Sequence, residues 1–322
     1  MNAPLARATL IEDRGEAAAD DQFFRSRQFL DAESATHTLR IESDAGELLA
    51  PLVVREIPGT GERDATSPYG YPGFHSSVPH GDIARKKNRR KSVAPESIDW
   101  SATGLVSVFI RHALGASPLA GATGRNVVQI ADPALPPKSR PSDRRQARRN
   151  LEAGYALELV PGGEATAEQR AGFLAAYEQT MRRTEAAPHY FFGAAYFDRV
   201  LAAERTWLAL ALAPGGDLAA ASIAAVSDGF LHYYLSGSAD AHLRDSPMKN
   251  VVARLVEHAA ELGLPLNLGG GIAPGDALEE FKRGFANRQL TWTTSEIVCD
   301  EERYAELSAG RGSGGYFPAY RA

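Results

Sequence analysis

Apolar positions alternate with period two in some stretches of this chain and recur at helical spacing in others, and the two patterns trade places in a readable order. Ala219 to Ser227 and Phe230 to Ser238 are two apolar runs separated by Asp228-Gly229, a two-residue hairpin signal. Alternation along the second run predicts His232, Tyr234 and Ser236 on one face and Tyr233 and Leu235 on the other. Ser246-Pro247 then reads as an N-cap with proline at the first helical position. Val251, Val252, Leu255, Val256, Ala259 and Leu262 follow at helical spacing until Gly263 stops the helix. Pro265 to Leu268 reads as a short strand, and Gly269-Gly270-Gly271 as a turn or a close approach to a ligand. Asp276 to Ala286 is the next helix and Leu290 to Cys299 a closing strand.

The first half is patterned more weakly. His37 to Ser43 and Leu48 to Ile57 read as strands joined by the turn Asp44-Ala45-Gly46, and Val127 to Ala131 as a further strand. Trp100 and the run Val106 to Leu114 suggest a helix. Ser142 opens a strongly basic helix through Glu152, followed by a strand from Ala156 to Val160. Thr166-Ala167-Glu168-Gln169 is a capping-box signature, after which Phe173, Leu174, Tyr177 and Met181 give the next helix one apolar face. These elements define an α/β (α+β) chain with a boundary near residue 155. The expected domains are 1–155 and 156–305, with a tail at 306–322 that can return to the first domain.

Composition narrows the function classes. The 322 residues suffice for two domains with sizeable cores. No apolar run is long enough to span a bilayer, and the N-terminal stretch lacks the apolar core of a signal peptide, so a cytoplasmic protein without membrane insertion is expected. Cys299 is the only cysteine, and the eight histidines form no close helical pair, so neither a disulfide nor a metal site is expected. No Gly-x-Ser-x-Gly elbow and no strand-linked Gly-x-Gly-x-x-Gly is present, which removes a hydrolase triad and a dinucleotide fingerprint. The formal net charge of −5 argues against general nucleic-acid affinity, DNA included.

Positive charge is nevertheless clustered. Arg85, Lys86, Lys87, Arg89, Arg90 and Lys91 lie within seven residues, and Arg144, Arg145, Arg148 and Arg149 lie on the basic helix. Such groups suit contact with a phosphate backbone; the plainer reading is a solvated loop and a solvated helix face. Lysine itself is rare, with six among 35 basic residues. Lys282 stands just beyond the glycine triplet, and a compact ammonium with three donors can follow charge developing on a reacting oxygen, where an arginine fork suits carboxylate or phosphate. A solvated helix lysine is the plain alternative.

The segments Tyr233-Tyr234-Leu235-Ser236-Gly237-Ser238, Ser246-Pro247-Met248-Lys249, Leu268-Gly269-Gly270-Gly271 and Phe281-Lys282-Arg283-Gly284-Phe285, with Ser67-Pro68-Tyr69-Gly70-Tyr71-Pro72-Gly73 and Phe109-Ile110-Arg111 upstream, resemble the FemABX (FemX-like) family of aminoacyl-tRNA-dependent peptidyltransferases within the GNAT acyltransferase superfamily. The resemblance implies two tandem GNAT-like domains, the second the better preserved, with the acceptor in the cleft between them. It implies transfer of an aminoacyl group from aminoacyl-tRNA to an amine of a peptide-like acceptor, a cell-wall precursor or a secondary-metabolite peptide, with no cofactor. Lys282 would then stabilise the oxyanion or the leaving oxygen, and Phe281 would shape the channel. Tyr69, Tyr71, Tyr177, Arg182, Tyr233, Tyr234 and Ser236 are expected to bind the acceptor. Lys86, Lys87, Arg89, Arg90, Lys91, Arg144, Arg145, Arg148 and Arg149 are expected to track the tRNA. Two other readings stay open: an acyl-CoA-dependent N-acyltransferase, and a catalytically inactive peptide-binding module. The segment Leu243 to Lys249 weighs against CoA, since it lacks the glycines of a pyrophosphate loop, Pro247 has no N–H and Asp245 adds negative charge.

Overall fold

The computed structural model describes residues 6–44, 46–76, 92–312 and 314–322. In chain order its elements are β1 (Ala6–Ile11), α1 (Arg27–Ala32), β2 (His37–Ser43), β3 (Gly46–Glu56), β4 (Arg63–Thr66), β5 (His75–Ser76), β6 (Ile98–Asp99), β7 (Ser107–Arg111) and β8 (Thr123–Ala131). There follow α2 (Pro141–Glu152), β9 (Ala156–Pro161), α3 (Ala167–Arg183), α4 (Ala194–Leu201), β10 (Thr206–Leu212), β11 (Leu218–Ser227) and β12 (Phe230–Ser238). The last are α5 (Met248–Leu262), β13 (Leu266–Gly269), α6 (Ala277–Arg283), β14 (Arg288–Val298) and α7 (Glu301–Ser308). The fold is mixed α/β. No helix of the described residues is long and apolar enough to cross a membrane.

The chain divides into two compact units. Unit 1 holds the residues up to Ala19, Glu33–Arg125 and Thr291–Ala322; unit 2 holds Asp20–Ala32 and Asn126–Leu290. This division differs from a single boundary near residue 155. Residues 126–155 group with unit 2 because β8 pairs with β13, and because Asn150 of α2 donates to Asn250 of α5 at 2.7 Å.

Unit 1 carries the strand order β6-β1-β2-β3-β4-β7-β14, antiparallel except where β1 meets β6 and β4 meets β7. Its core is built from Leu39, Ile41, Leu52, Val108 and Ile110. The helix expected over Val106 to Leu114 is instead the strand β7. Val108 and Ile110 are fully buried while Phe109 and Arg111 are half-buried, which is a period of two, and β-branched residues favour the pleated surface.

Unit 2 carries the order β8-β13-β12-β11-β10-β9. The turn between β11 and β12 has Asp228 at φ 49° and Gly229 at φ 79°, the positive pair that a tight two-residue hairpin requires. Pairing then slips between Ile223 and Ala224, so that Ile223 faces Leu235, Ala224 faces Tyr233, and the register with β11 skips Tyr234. This bulge overturns the simple alternation expected for β12. Tyr233 and Ser236, three apart, are hydrogen-bonded to each other, while His232 and Tyr234 pack on Phe24 at ring distances of 4.9 and 5.7 Å. Arg25, buried beside Phe24, grips Asp228 with two bonds of 3.1 and 2.6 Å, fixing Asp20–Ala32 against the hairpin.

Helix ends follow local chemistry. The capping box of Thr166 and Gln169 is formed, and Gly263 closes α5 in the left-handed conformation at φ 67°. Ser246 does not cap α5 as expected; it is itself left-handed at φ 50°, and the helix starts after Pro247.

Further along, β12 meets α3, where a Cβ on Gly237 would fall against the backbone of Ala176 and Tyr177. Gly237→Ala is therefore expected to lower the unfolding free energy by about 1–3 kcal/mol through overpacking. Chemical denaturation of the two proteins measures this, and an unchanged midpoint would refute the close approach.

Candidate functional site

The parallel pairing of β12 with β13 is confined to Leu231 with Leu266 and His232 with Asn267. Among the described residues, no strand pairs with the β13-facing edge of β12 beyond those two pairs. Asn267 holds the fork: its side-chain N–H donates to His232 Nδ1 at 3.0 Å and its Oδ1 accepts the N–H of Gly269 at 2.9 Å. The other ring nitrogen of His232 donates to the Ser227 carbonyl at 3.1 Å. Burial depresses the His232 pKa to about 4, so this histidine is neutral, and both of its nitrogens are engaged in holding structure. It is not placed as a base.

Past the fork the glycine triplet wraps the lysine. Gly269 is at φ 75°, and a Cβ there would stand 3.2 Å from Lys282 Nζ; a Cβ on Gly270 would meet Asn126 and Val127 at 2.7 Å. The loop is tied down by Asp276, whose carboxylate accepts from Ile272 N at 2.6 Å, Ala273 N at 3.0 Å and Glu279 N at 2.7 Å. Those backbone donors hold its pKa below the usual carboxylate range. Asn126 adds a 2.9 Å bond to the Gly271 carbonyl. Asp276 followed by Glu279 is the signature of a helix start, legible in the sequence; Asn126 and Asn267 carry no such signal.

Lys282 leaves the penultimate position of α6 and is only 8% exposed. Its ammonium donates to the Gly270 carbonyl at 2.6 Å. An ammonium has three donors, and the other two have no partner among the described residues. Burial pulls its pKa from 10.5 down to about 8, opposed by the nearby Asp276 carboxylate. Phe281 packs on the core beside Phe285, with ring centres 5.6 Å apart. The arrangement is a buried cation, partly unsatisfied among the described residues, at the glycine turn that follows β13, which suits stabilisation of an oxygen that gains negative charge.

Tyr233 donates to Ser236 at 2.6 Å on the α5 side of unit 2, and Tyr234 shares a 2.5 Å bond with Tyr196. Tyr177 is core: it is 1% exposed, packs on Phe173 and Phe197, and donates to the Tyr190 carbonyl at 2.8 Å. Arg182 is exposed and paired with Glu178 at 2.6 Å. Tyr69 and Tyr71 lie in unit 1, half-buried; the Arg111 guanidinium stands 5.5 Å from the Tyr69 ring, and Tyr71 meets Trp292 edge to face at 6.0 Å. Arg144, Arg145, Arg148 and Arg149 are all exposed on α2. Lys86, Lys87, Arg89, Arg90 and Lys91 lie outside the described residues.

Residues 138–283 match the family model described as an acetyltransferase (GNAT) domain. The solved structure of FemX superposes over 91% of this chain and 98% of its own, with a TM-score of 0.61 at 10% identity. The chain has the fold of FemX. L-PGS from Bacillus licheniformis also shares it, at 11% identity over 82% of this chain and 85% of its own with a TM-score of 0.54. So does the C-terminal domain of an Agrobacterium fabrum protein named for lysylphosphatidylglycerol synthetase, at 13% identity, 88% and 91% coverage and a TM-score of 0.56. No curated protein matches the sequence. Within this FemX fold the GNAT match falls in unit 2, around the fork and Lys282, and supports acyltransferase activity in general.

A buried ammonium costs stability while it stays charged. Between pH 8 and 10.5 the unfolded chain keeps the Lys282 proton that the folded chain has lost, so the folded state gains stability as pH rises through that window. Lys282→Met is thus expected to be more stable than the parent at pH 7, by on the order of 2 kcal/mol after the lost hydrogen bond is allowed for. The difference should shrink towards pH 10, as thermal unfolding at a series of pH values would record; a Met variant less stable at pH 7 would contradict it.

Proposed function

We propose that this chain is an aminoacyltransferase. The amine of a peptide-like acceptor, a cell-wall precursor or a secondary-metabolite peptide, attacks the ester carbonyl of an aminoacyl-tRNA. A C–N bond forms, the C–O ester bond breaks, and the proton given up by the amine ends on the ribose oxygen. The observation that carries this reading is Lys282, an ammonium held at 8% exposure with two N–H donors unused among the described residues. It would meet the carbonyl oxygen as charge develops, while Phe281 shapes the approach. The edge of β12 that diverges from β13 after His232 offers room for an extended amide chain, which favours a peptide-like acceptor beside Tyr233, Tyr234 and Ser236.

Three features of the α5 N-terminus favour tRNA over CoA as donor. Pro247 has no N–H, and the amides of Lys249 and Asn250 already donate to Ser246 and Pro247 at 3.0 and 2.9 Å, leaving few donors for a pyrophosphate. The Lys249 ammonium lies 3.0 Å from the buried carboxylate of Asp143. Asp245, held by the Tyr155 hydroxyl at 2.7 Å, places a carboxylate at the same helix end. By contrast, the exposed arginines of α2 include Arg145 and Arg149, whose side chains have no ion pair or hydrogen bond among the described residues. With Lys86, Lys87, Arg89, Arg90 and Lys91 they would follow a phosphate backbone. The acetyltransferase description of the matched domain favours acyl-CoA as the second reading.

Turnover separates the donors. Total tRNA charged with labelled amino acids, or acetyl-CoA, is offered with a set of peptide amines, and transfer from charged tRNA is expected. Acetyl-CoA as the sole productive donor would replace this reading with the second, and no transfer from either would leave a binding module. Lys282→Ala should lower turnover by about 10²–10³, and Lys282→Arg should stay impaired because its fork cannot follow the same oxygen. Replacing Arg144, Arg145, Arg148 and Arg149 with alanine should flatten the log–log salt dependence of tRNA binding by roughly 0.7–0.9 for each phosphate that is no longer neutralised. An unaltered slope would remove α2 from the tRNA surface.

A further inference from the structure

One proton on the α5 side of β12 is left unused by that reaction. Tyr233 donates to Ser236 Oγ at 2.6 Å. Burial raises the Tyr233 phenol to about 12, so it remains a donor across the working pH range. A serine hydroxyl that accepts one hydrogen bond still has its own proton to give, and that of Ser236 meets no acceptor among the described residues. Accepting the phenol also polarises the hydroxyl and strengthens it as a donor. Ser236 is half-buried and lies four residues beyond the last β12–β13 pair, on the open strand edge.

The bulge at Tyr234 sets the direction. Without it, Ser236 would share a face with His232 and Tyr234, on the side where Phe24 packs. With it, Tyr233 and Ser236 come together on the face where Tyr233 and Phe281 pack on one core cluster, and Lys282 follows Phe281 in α6. We propose that Ser236, oriented by the Tyr233 hydroxyl, donates to the reacting carbonyl oxygen and completes with Lys282 a two-donor site for the tetrahedral oxyanion; this rests on the acyl-transfer reading above. Ser236 is the catalytic member of the pair, and Tyr233 is a positioning residue that acts through it. A neutral hydroxyl complements the ammonium because its hydrogen bond survives the pH range in which Lys282 discharges.

The test is the rate of transfer from labelled aminoacyl-tRNA to a peptide amine by the full chain, with Ser236→Ala, Tyr233→Phe, Ser236→Thr and the Ala/Phe double variant. Ser236→Ala is expected to lower kcat by about 10²-fold with little change in KM, and Tyr233→Phe by about tenfold. The double variant should be no slower than Ser236→Ala, because the phenol acts only through the serine. Ser236→Thr, which keeps a hydroxyl, should recover most of the loss. A Ser236→Ala enzyme within about threefold of the parent in kcat, or effects that multiply in the double variant, would overturn the inference while the parent's own turnover upholds the acyl-transfer reading. A parent that transfers from no donor overturns both. Should Ser236→Ala fail to fold, Tyr233→Phe decides: a folded variant with unaltered kcat refutes the pair.

Discussion

Everything at the candidate site depends on where two parallel strands stop pairing. Hydrogen bonds join β12 and β13 at only two residue pairs, and the interruption follows from the side chains packed into the fork. Asn267 bridges His232 on one strand and the Gly269 amide on its own, so the polar groups at the split are satisfied within the protein. An unfilled fork would leave main-chain groups buried without partners; a fork filled with asparagine and histidine ends the pairing at a fixed place. The glycine triplet then carries the chain around the Lys282 ammonium, and Asp276 pins the far side of the turn through three backbone donors. Lys282 is held by a carbonyl rather than a carboxylate, which leaves its charge without a direct ion pair among the described residues.

That choice of partner has an energetic sense. A lysine salt-bridged to Asp276 would be easier to bury and less able to respond to new charge on a substrate. A single main-chain acceptor orients the ammonium, and the more distant carboxylate moderates the fall in its pKa without capping it. The neighbouring charges are treated in the opposite way: Lys249 lies against buried Asp143, and Arg283 pairs with Glu279 and Glu280. Of these positive groups around α6, Lys282 is the one with no carboxylate partner among the described residues.

Much of this was legible in the sequence. The β11–β12 hairpin, the capping box at Thr166, the end of α5 at Gly263 and the turn at Gly269 to Gly271 each rest on local backbone chemistry, and each formed where that chemistry put it. The rarity of lysine singled out Lys282, and the structure buries that side chain at the glycine turn. What failed were judgements that depend on distant partners. The run Val106 to Leu114 is apolar enough for either secondary structure, and pairing with β4 and β14 made it a strand. The bulge at Tyr234 arises from register with β11, so no pattern within β12 announces it, and it reverses the face of Ser236. Tyr177 has the composition of a ligand-binding residue and the position of a core one, since its hydroxyl found a carbonyl inside the fold.

The division of the chain carries a consequence for its synthesis. Unit 1 is assembled from three separate stretches and unit 2 from two, with the short aromatic segment Asp20–Ala32 lent across from an otherwise different unit. Neither unit is a contiguous piece that could be cut out. As the chain emerges from the ribosome, unit 2 has all its parts once Leu290 is made, whereas unit 1 still lacks β14, the strand that pairs along β7. Domains ordinarily complete in the order in which they are translated. Here unit 1 takes its last strand only after unit 2 has all its parts, and β7 must wait with an open edge until β14 has been made.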